Sequence, residues 1–416
     1  MTPAEENPGS RELSRRGAPG SAGRRIRWRL IGASLVFLVT GAALILSRSR
    51  AGSDPDRLWE KGQADYESNR LDAAESVVRD LARLRPATVN DSILRAEVHM
   101  ARGRTESALA ALARVPDAHR EAPQARFLSG KLEFERSHAR AAEGHWKRAV
   151  ALDPGRIEAR RSLSYLYALQ LRKQEFDEQF REIAERQPVT FAHAYFWSQI
   201  NCGIFDPSEA AVTLKRFLDA DAGDRQSRFA LFEVYLRLER VEDAERLLAA
   251  LPECDADGRA ARARAALLKG DDAGLASLMA GGKTDHPGMA RIRGRLALLK
   301  GDGPAAVRDF RSALATDPDD HETLQSLAKA LRLTGDDAGS GAYMERARVQ
   351  SRLWELVQRA ARGTASTDLT LLQSLGQACE AANRPREARA WYTLVIARDP
   401  LDPDAQHSLY RLSTAK

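Results

Sequence analysis

Five times in this chain a small residue is followed twelve positions later by alanine: Gly62 and Ala74, Ala96 and Ala108, Gly130 and Ala142, Gly294 and Ala306, Gly376 and Ala388. In four of the five a proline follows after another twelve, at Pro86, Pro154, Pro318 and Pro400. Gly62, Ala96 and Gly130 are spaced 34 residues apart, and so are Pro154 and Pro188. A fixed period of this length predicts a stack of similar units rather than one globular core. The residue types say what a unit is. Two antiparallel helices approach closely only where small side chains face each other, and a proline beyond the second helix stops it from running into the next unit.

Around these marks apolar residues recur at three- and four-residue intervals, as in amphipathic helices. One unit carries Phe127, Leu128 and Gly130, then Ala142, Trp146, Ala149 and Pro154. A second carries Gly294, Leu296, Gly301, Ala306, Phe310, Ala313 and Pro318, and a third Leu372, Leu375, Gly376, Ala388, Trp391, Tyr392 and Pro400. Fainter copies fill the space between them, with Tyr167, Phe176 and Phe180, then Trp197, Ala210 and Leu214, then Phe232, Tyr235, Ala244 and Leu248. The pattern resembles the tetratricopeptide repeat (TPR), a helix–turn–helix of about 34 residues. The resemblance covers residues 55–400. It implies an all-α TPR solenoid, a right-handed superhelix of about ten helix pairs, closed by a capping helix over 401–416. Two stretches depart from the pattern. Residues 256–282 are short and alanine-rich with Gly270 in the turn, and residues 336–363 place Gly339 and Gly341 in a turn before an unusually long second helix.

The first fifty residues differ. Residues 1–23, rich in Pro, Gly, Ser and charge, read as a disordered basic tail. Residues 24–50 read as a transmembrane anchor: Arg24, Arg25, Arg27, Trp28 and Arg29 precede the uncharged run from Leu30 to Ser47, close to the ~20 residues that span a bilayer. Trp28 sits where an interfacial aromatic is expected. A cleaved signal peptide is the alternative, since Ser49 and Ala51 give a small-x-small pair, although Arg48 and Arg50 crowd it. Seven arginines precede the run, against Arg48, Arg50, Arg57 and Lys61 soon after it. That excess predicts a cytoplasmic amino terminus, with the repeats periplasmic or otherwise extracytoplasmic. The net charge of +6 belongs entirely to residues 1–50, which hold nine arginines and three glutamates. The neutral repeat region therefore lacks a basic footprint for nucleic acid, while the arginines beside Trp28 suit anionic lipid headgroups.

No catalytic, cofactor or metal pattern stands out. Cys202, Cys254 and Cys379 are scattered, with no CxxC, and His138 and His145 flank Glu143 without a ligand spacing. Gly281, Gly282, Lys283 and Thr284 imitate the end of a phosphate loop, but Ser277 stands where that motif needs glycine. The carboxylates read as solvated helix faces. The expectation is thus a binding protein, not an enzyme. In a TPR stack the first helices line a concave groove that receives peptides or partner helices. Positions three before, one after and four after each small residue share one helix face. They give Trp59, Gln63 and Tyr66; Ile93, Glu97 and Met100; Phe127, Lys131 and Phe134; Arg161 and Tyr165; Tyr195 and Gln199; Phe229 and Glu233; Arg291 and Arg295; Gln373 and Gln377. This aromatic and polar row predicts a groove for a protein or peptide partner. The task it suggests is that of a membrane-tethered scaffold for assembling or chaperoning an envelope complex. A non-catalytic subunit of an enzyme complex and a cytoplasm-facing regulatory adaptor are the alternatives.

Overall fold

The computed structural model describes residues 54–280, 286–362 and 365–414. The expected tail over 1–23, the anchor over 24–50 and the loop at 281–284 lie outside these residues. Among the described residues there are 21 α-helices and one short 3-10 turn, Ala365–Thr367, and no strand. No helix among them is long and apolar enough to cross a membrane.

In chain order the helices form ten pairs. They are α1 Pro55–Glu67 with α2 Leu71–Leu84, α3 Val89–Ala101 with α4 Thr105–Leu112, and α5 Ala122–Glu135 with α6 Ala139–Leu152. Then come α7 Ile157–Leu169 with α8 Lys173–Arg186, α9 Phe191–Asn201 with α10 Pro207–Ala220, and α11 Arg225–Arg237 with α12 Val241–Leu248. The remaining pairs are α13 Ala256–Lys269 with α14 Asp272–Ala280, α15 Pro287–Leu299 with α16 Gly303–Leu314, α17 His321–Leu333 with α18 Asp337–Ala360, and α19 Leu369–Ala381 with α20 Pro385–Ile396. Helix α21, Pro403–Thr414, follows and buries Ala405, with Leu409 and Leu412 partly covered. The packing described below lies within residues 59–416, which form one compact unit.

The small first-helix positions are small because a large second-helix side chain occupies the space in front of them. A β-carbon on Gly130 would lie 2.5 Å from the Trp146 indole. One on Gly294 would lie 2.8 Å from the Phe310 ring, and one on Gly376 2.6 Å from the Tyr392 ring. The period-marking alanines Ala74, Ala108, Ala142, Ala306 and Ala388 are all fully buried. Aspartates start many of the helices. Asp206, Asp224, Asp255, Asp302, Asp336 and Asp368 each accept a hydrogen bond from a first-turn backbone N–H, satisfying donors that a helix leaves open.

Between the helices of every pair, one residue takes the left-handed conformation that reverses the chain. In the second pair it is Gly103, with φ 68°, and in the sixth it is Glu239, with φ 59°. The turn before α18 corrects one expectation. Gly339 and Gly341 are not in it but in the first turns of the helix, where the Gly339 N–H donates to the Asp336 carboxylate at 2.8 Å. Gly335, with φ 79°, makes the turn instead. Helix α18 is 24 residues long. Its first half packs with the ninth pair, and its second half buries Leu353, Leu356 and Val357 in the central cluster.

Three substitutions test this packing by thermal or denaturant unfolding. Gly130→Ala should destabilise the chain by about 1–3 kcal/mol, because the boxed-in Trp146 must shift. Gly144→Ala, on the same helix pair but with open space around it, should stabilise by up to about 1 kcal/mol through helix propensity. Exposed Glu239→Gly should gain about 0.5–1 kcal/mol by relieving a left-handed side chain.

Candidate protein-binding face

The expected face begins on α1. Trp59 and Tyr66 are half-buried against Ala74, Val78, Leu94 and Val98, and Gln63 Nε2 donates to Glu67 at 3.2 Å. On α3, Ile93 and Met100 pack against the next cluster. Between them, burial and then the nearby Glu67 push the Glu97 carboxyl up to about 7. Burial and then Glu97 raise the Tyr66 phenol in turn.

Further along, the chain's own helices cover part of the face. Phe127 and Phe134 on α5 are partly buried, and the Trp146 indole N–H donates to the Phe127 carbonyl at 3.3 Å. The Phe134 ring lies 5.5 Å from Trp146, 6.0 Å from Tyr165 and 5.5 Å from Phe217. Phe217 belongs to α10, so that helix reaches back over the third and fourth pairs. Three predicted residues around this aromatic knot stay open to solvent: Lys131, Arg161, and Tyr165 at 38% exposure. Lys131 faces Glu135 at 3.9 Å, and Arg161 donates to Gln187 at 2.6 Å.

On α9 and its C-cap, the residues Phe191, Tyr195, Ser198 and Cys202 follow one another at helical spacing on one side. Phe191 stacks on Tyr195 at 6.1 Å and meets the Trp391 ring of α20 edge-on at 5.7 Å. Ser198 Oγ donates to Glu387 Oε2 at 2.9 Å and accepts from the Trp391 indole N–H at 3.0 Å. Asn201 Nδ2 donates to Glu387 Oε1 at 2.6 Å. Arg384 lies 3.9 Å from Glu387 and 3.8 Å from the Cys202 sulfur, and donates to Gln350 of α18 at 3.1 Å. Glu387, Ser198 and Trp391 are almost fully buried. Burial pushes the Glu387 carboxyl up against the opposing pull of Arg384, Asn201 and Ser198. It also lifts the Cys202 thiol to about 11, and the wholly enclosed Cys379 thiol well above its usual range.

From α11 onward the predicted residues are paired between neighbouring units. Glu233 meets Arg264, Arg291 meets Asp320 at 3.3 Å, and Arg295 meets Glu322 at 3.2 Å. Arg225 stands over the Phe229 ring at 4.7 Å and donates to Asp255 at 2.9 Å. Gln373 bonds to Asp402, and with Gln377 it lines a surface cleft beside Tyr392 and Arg411. Exposed pairs of this sort contribute only about 0–1 kcal/mol each. They set the spacing of units more than the stability. Of the histidines singled out in the sequence, His138 is bonded to Glu133 at 2.7 Å. Glu143 pairs instead with Arg172 at 3.0 Å and Lys147 at 2.7 Å.

Sequence reasoning missed Ser198, Asn201, Arg384 and Glu387. One signal was available: the unit containing α9 has serine at the position where the strong units have glycine, so its partner there is not an apolar ring from its own second helix.

Two family models described as tetratricopeptide repeat match the chain, one over residues 205–267 and the other over 93–156 and 293–352. No curated protein matches. Among solved structures, the TPR domain of P58(IPK) is 14% identical, covering 86% of this chain and 97% of that one with a TM-score of 0.27. A tetratricopeptide repeat protein from Parabacteroides merdae is 12% identical over 78% of this chain and 99% of its own, at 0.21. PilW, a type IV pilus biogenesis factor, is 14% identical over 60% and 100%, at 0.20.

The Glu97 carboxyl yields a pH test. An acid whose folded pKa lies above its unfolded value withdraws stability as pH rises from the unfolded value to the folded one. Glu97→Gln should therefore leave the melting temperature unchanged near pH 4 and raise it progressively up to about pH 7, with a constant gain above. Equal melting curves at pH 8 would show that the carboxyl is well solvated.

Proposed function

Since the chain is a tetratricopeptide repeat protein, we propose that it is a non-catalytic scaffold holding a protein or peptide partner on its first helices. The observation that carries this reading is the open patch formed by Lys131, Arg161 and Tyr165 around the Phe134 knot. It joins an aromatic surface to two exposed cations, the combination that anchors an extended peptide bearing carboxylates. The ion-paired stretch from Glu233 to Glu322 offers fewer free valences and serves as frame.

The scaffold is tethered. The uncharged run from Leu30 to Ser47, bounded by arginines on both sides, supports a single membrane anchor with the amino terminus in the cytoplasm and the repeats outside it. In that position the patch serves the assembly or chaperoning of an envelope complex.

Lys131→Glu with Arg161→Glu should weaken capture of the partner from detergent-solubilised membranes by at least about tenfold, with the melting temperature unchanged. Undiminished capture would remove the patch from the interface. Deleting residues 30–47 should move the chain from the alkali-resistant membrane fraction into the supernatant. A full-length chain already in that supernatant would rule out the tether.

A further inference from the structure

The contact between α9 and α20 differs in kind from the packing of neighbouring units. Its hydrogen bonds join residues about 190 positions apart, Ser198 and Asn201 with Glu387, and Trp391 with Ser198. Neighbouring units meet through apolar side chains and, at the surface, ion pairs, whereas this contact centres on a buried carboxylate held by a hydroxyl and an amide. Arg384 is 3.9 Å away, too far for a close ion pair. Burying such groups carries a desolvation cost that offsets much of what their hydrogen bonds contribute. Water would restore those bonds if the two surfaces parted. The apolar side of the contact belongs to the central cluster, where Phe191, Ala194 and Trp197 of α9 lie with Leu353 and Val357 of α18 and with Ala388 and Trp391 of α20.

We propose that the Phe191, Tyr195, Ser198 and Cys202 side of α9 is a helix-receiving site occupied in cis by α20, and that this closure opens without unfolding of the repeats. The pattern that the site reads is Arg384, Glu387 and Trp391, spaced i, i+3 and i+7 on one helix face. Helix α20 is thus a built-in competitor. A partner helix presenting an arginine, a carboxylate and an indole at that spacing gains access only in the open state, at an affinity reduced by the fraction of time the site is open. The inference concerns a different surface from the Lys131–Arg161–Tyr165 patch, and it stands or falls whether or not a partner is captured there.

One native thiol reports on the closure: Cys379 is wholly buried in the central cluster, while Cys254 is exposed. In a full-length Cys254→Ser, Cys202→Ser chain, labelling of Cys379 by a small maleimide in native buffer measures opening at this contact. An otherwise cysteine-free chain carrying Ser129→Cys, a near-isosteric change at a buried site in the third pair, measures unfolding elsewhere. Cys379 should label at least tenfold faster than the cysteine at 129, and Glu387→Ala should accelerate the first further while leaving the second within about twofold. A synthetic peptide of residues 383–398, added in excess, should also accelerate labelling of Cys379 saturably, and the same peptide with Glu387 replaced by Lys should not. Equal labelling at the two sites in the parent chains would overturn the proposal, and that reading needs no destabilised variant. So would an equal acceleration of both sites by Glu387→Ala, or a peptide without effect.

Discussion

The organisation of this molecule depends on a single steric fit: a residue without a side chain on one helix, against an aromatic ring on the next. Trp146 over Gly130, Phe310 over Gly294 and Tyr392 over Gly376 bring two helix backbones close enough to form a unit with almost no void. Once the hairpins form, the outer faces of each pair are apolar and must find a neighbour, so the stack follows from the unit. The buried alanines at twelve-residue offset are part of the same fit, since a larger residue there would hold the second helix away. Capping aspartates and left-handed turn residues then place the ends of each helix, but they act on a geometry already decided by the close approach.

That dependence explains how much was legible. The glycine-to-alanine spacing, the proline stops and the period reveal the helix pairs and their number, because each is a local requirement repeated in every unit. The turn register was less visible, although it is just as regular. Asn69, Gly103, Ser137 and Leu171 stand 34 residues apart, all with positive φ. Only one of those four is glycine, so the repeat is one of conformation rather than composition. Gly339 and Gly341 misled for the converse reason: they are glycines that do not make the turn.

The binding face was the least legible part, and the reason is long-range contact. The stripe rule identifies side chains that share a helix face, and the half-buried aromatics do line up on it. It cannot say which of them another part of the chain covers. Phe217 reaches Phe134 from more than 80 residues away, and Glu387 meets Ser198 from 189. Neither separation is a multiple of anything the repeat encodes. The ion pairs from Glu233 to Glu322 are intermediate. Each spans about one unit, so opposite charges one period apart could have been found by aligning the units against each other.

Repeat arrays change length by gaining or losing whole units, and a stack with only nearest-neighbour contacts tolerates this anywhere along it. Here the contact between α9 and α20 fixes the arc between the fifth and tenth pairs, because one unit more or fewer would carry Glu387 and Trp391 past Ser198 by the width of a helix pair. The first four pairs are under no such restraint from this contact. Length variation among relatives should accordingly fall on the amino-terminal side of Phe191, and the carboxyl-terminal six pairs should be inherited as a block.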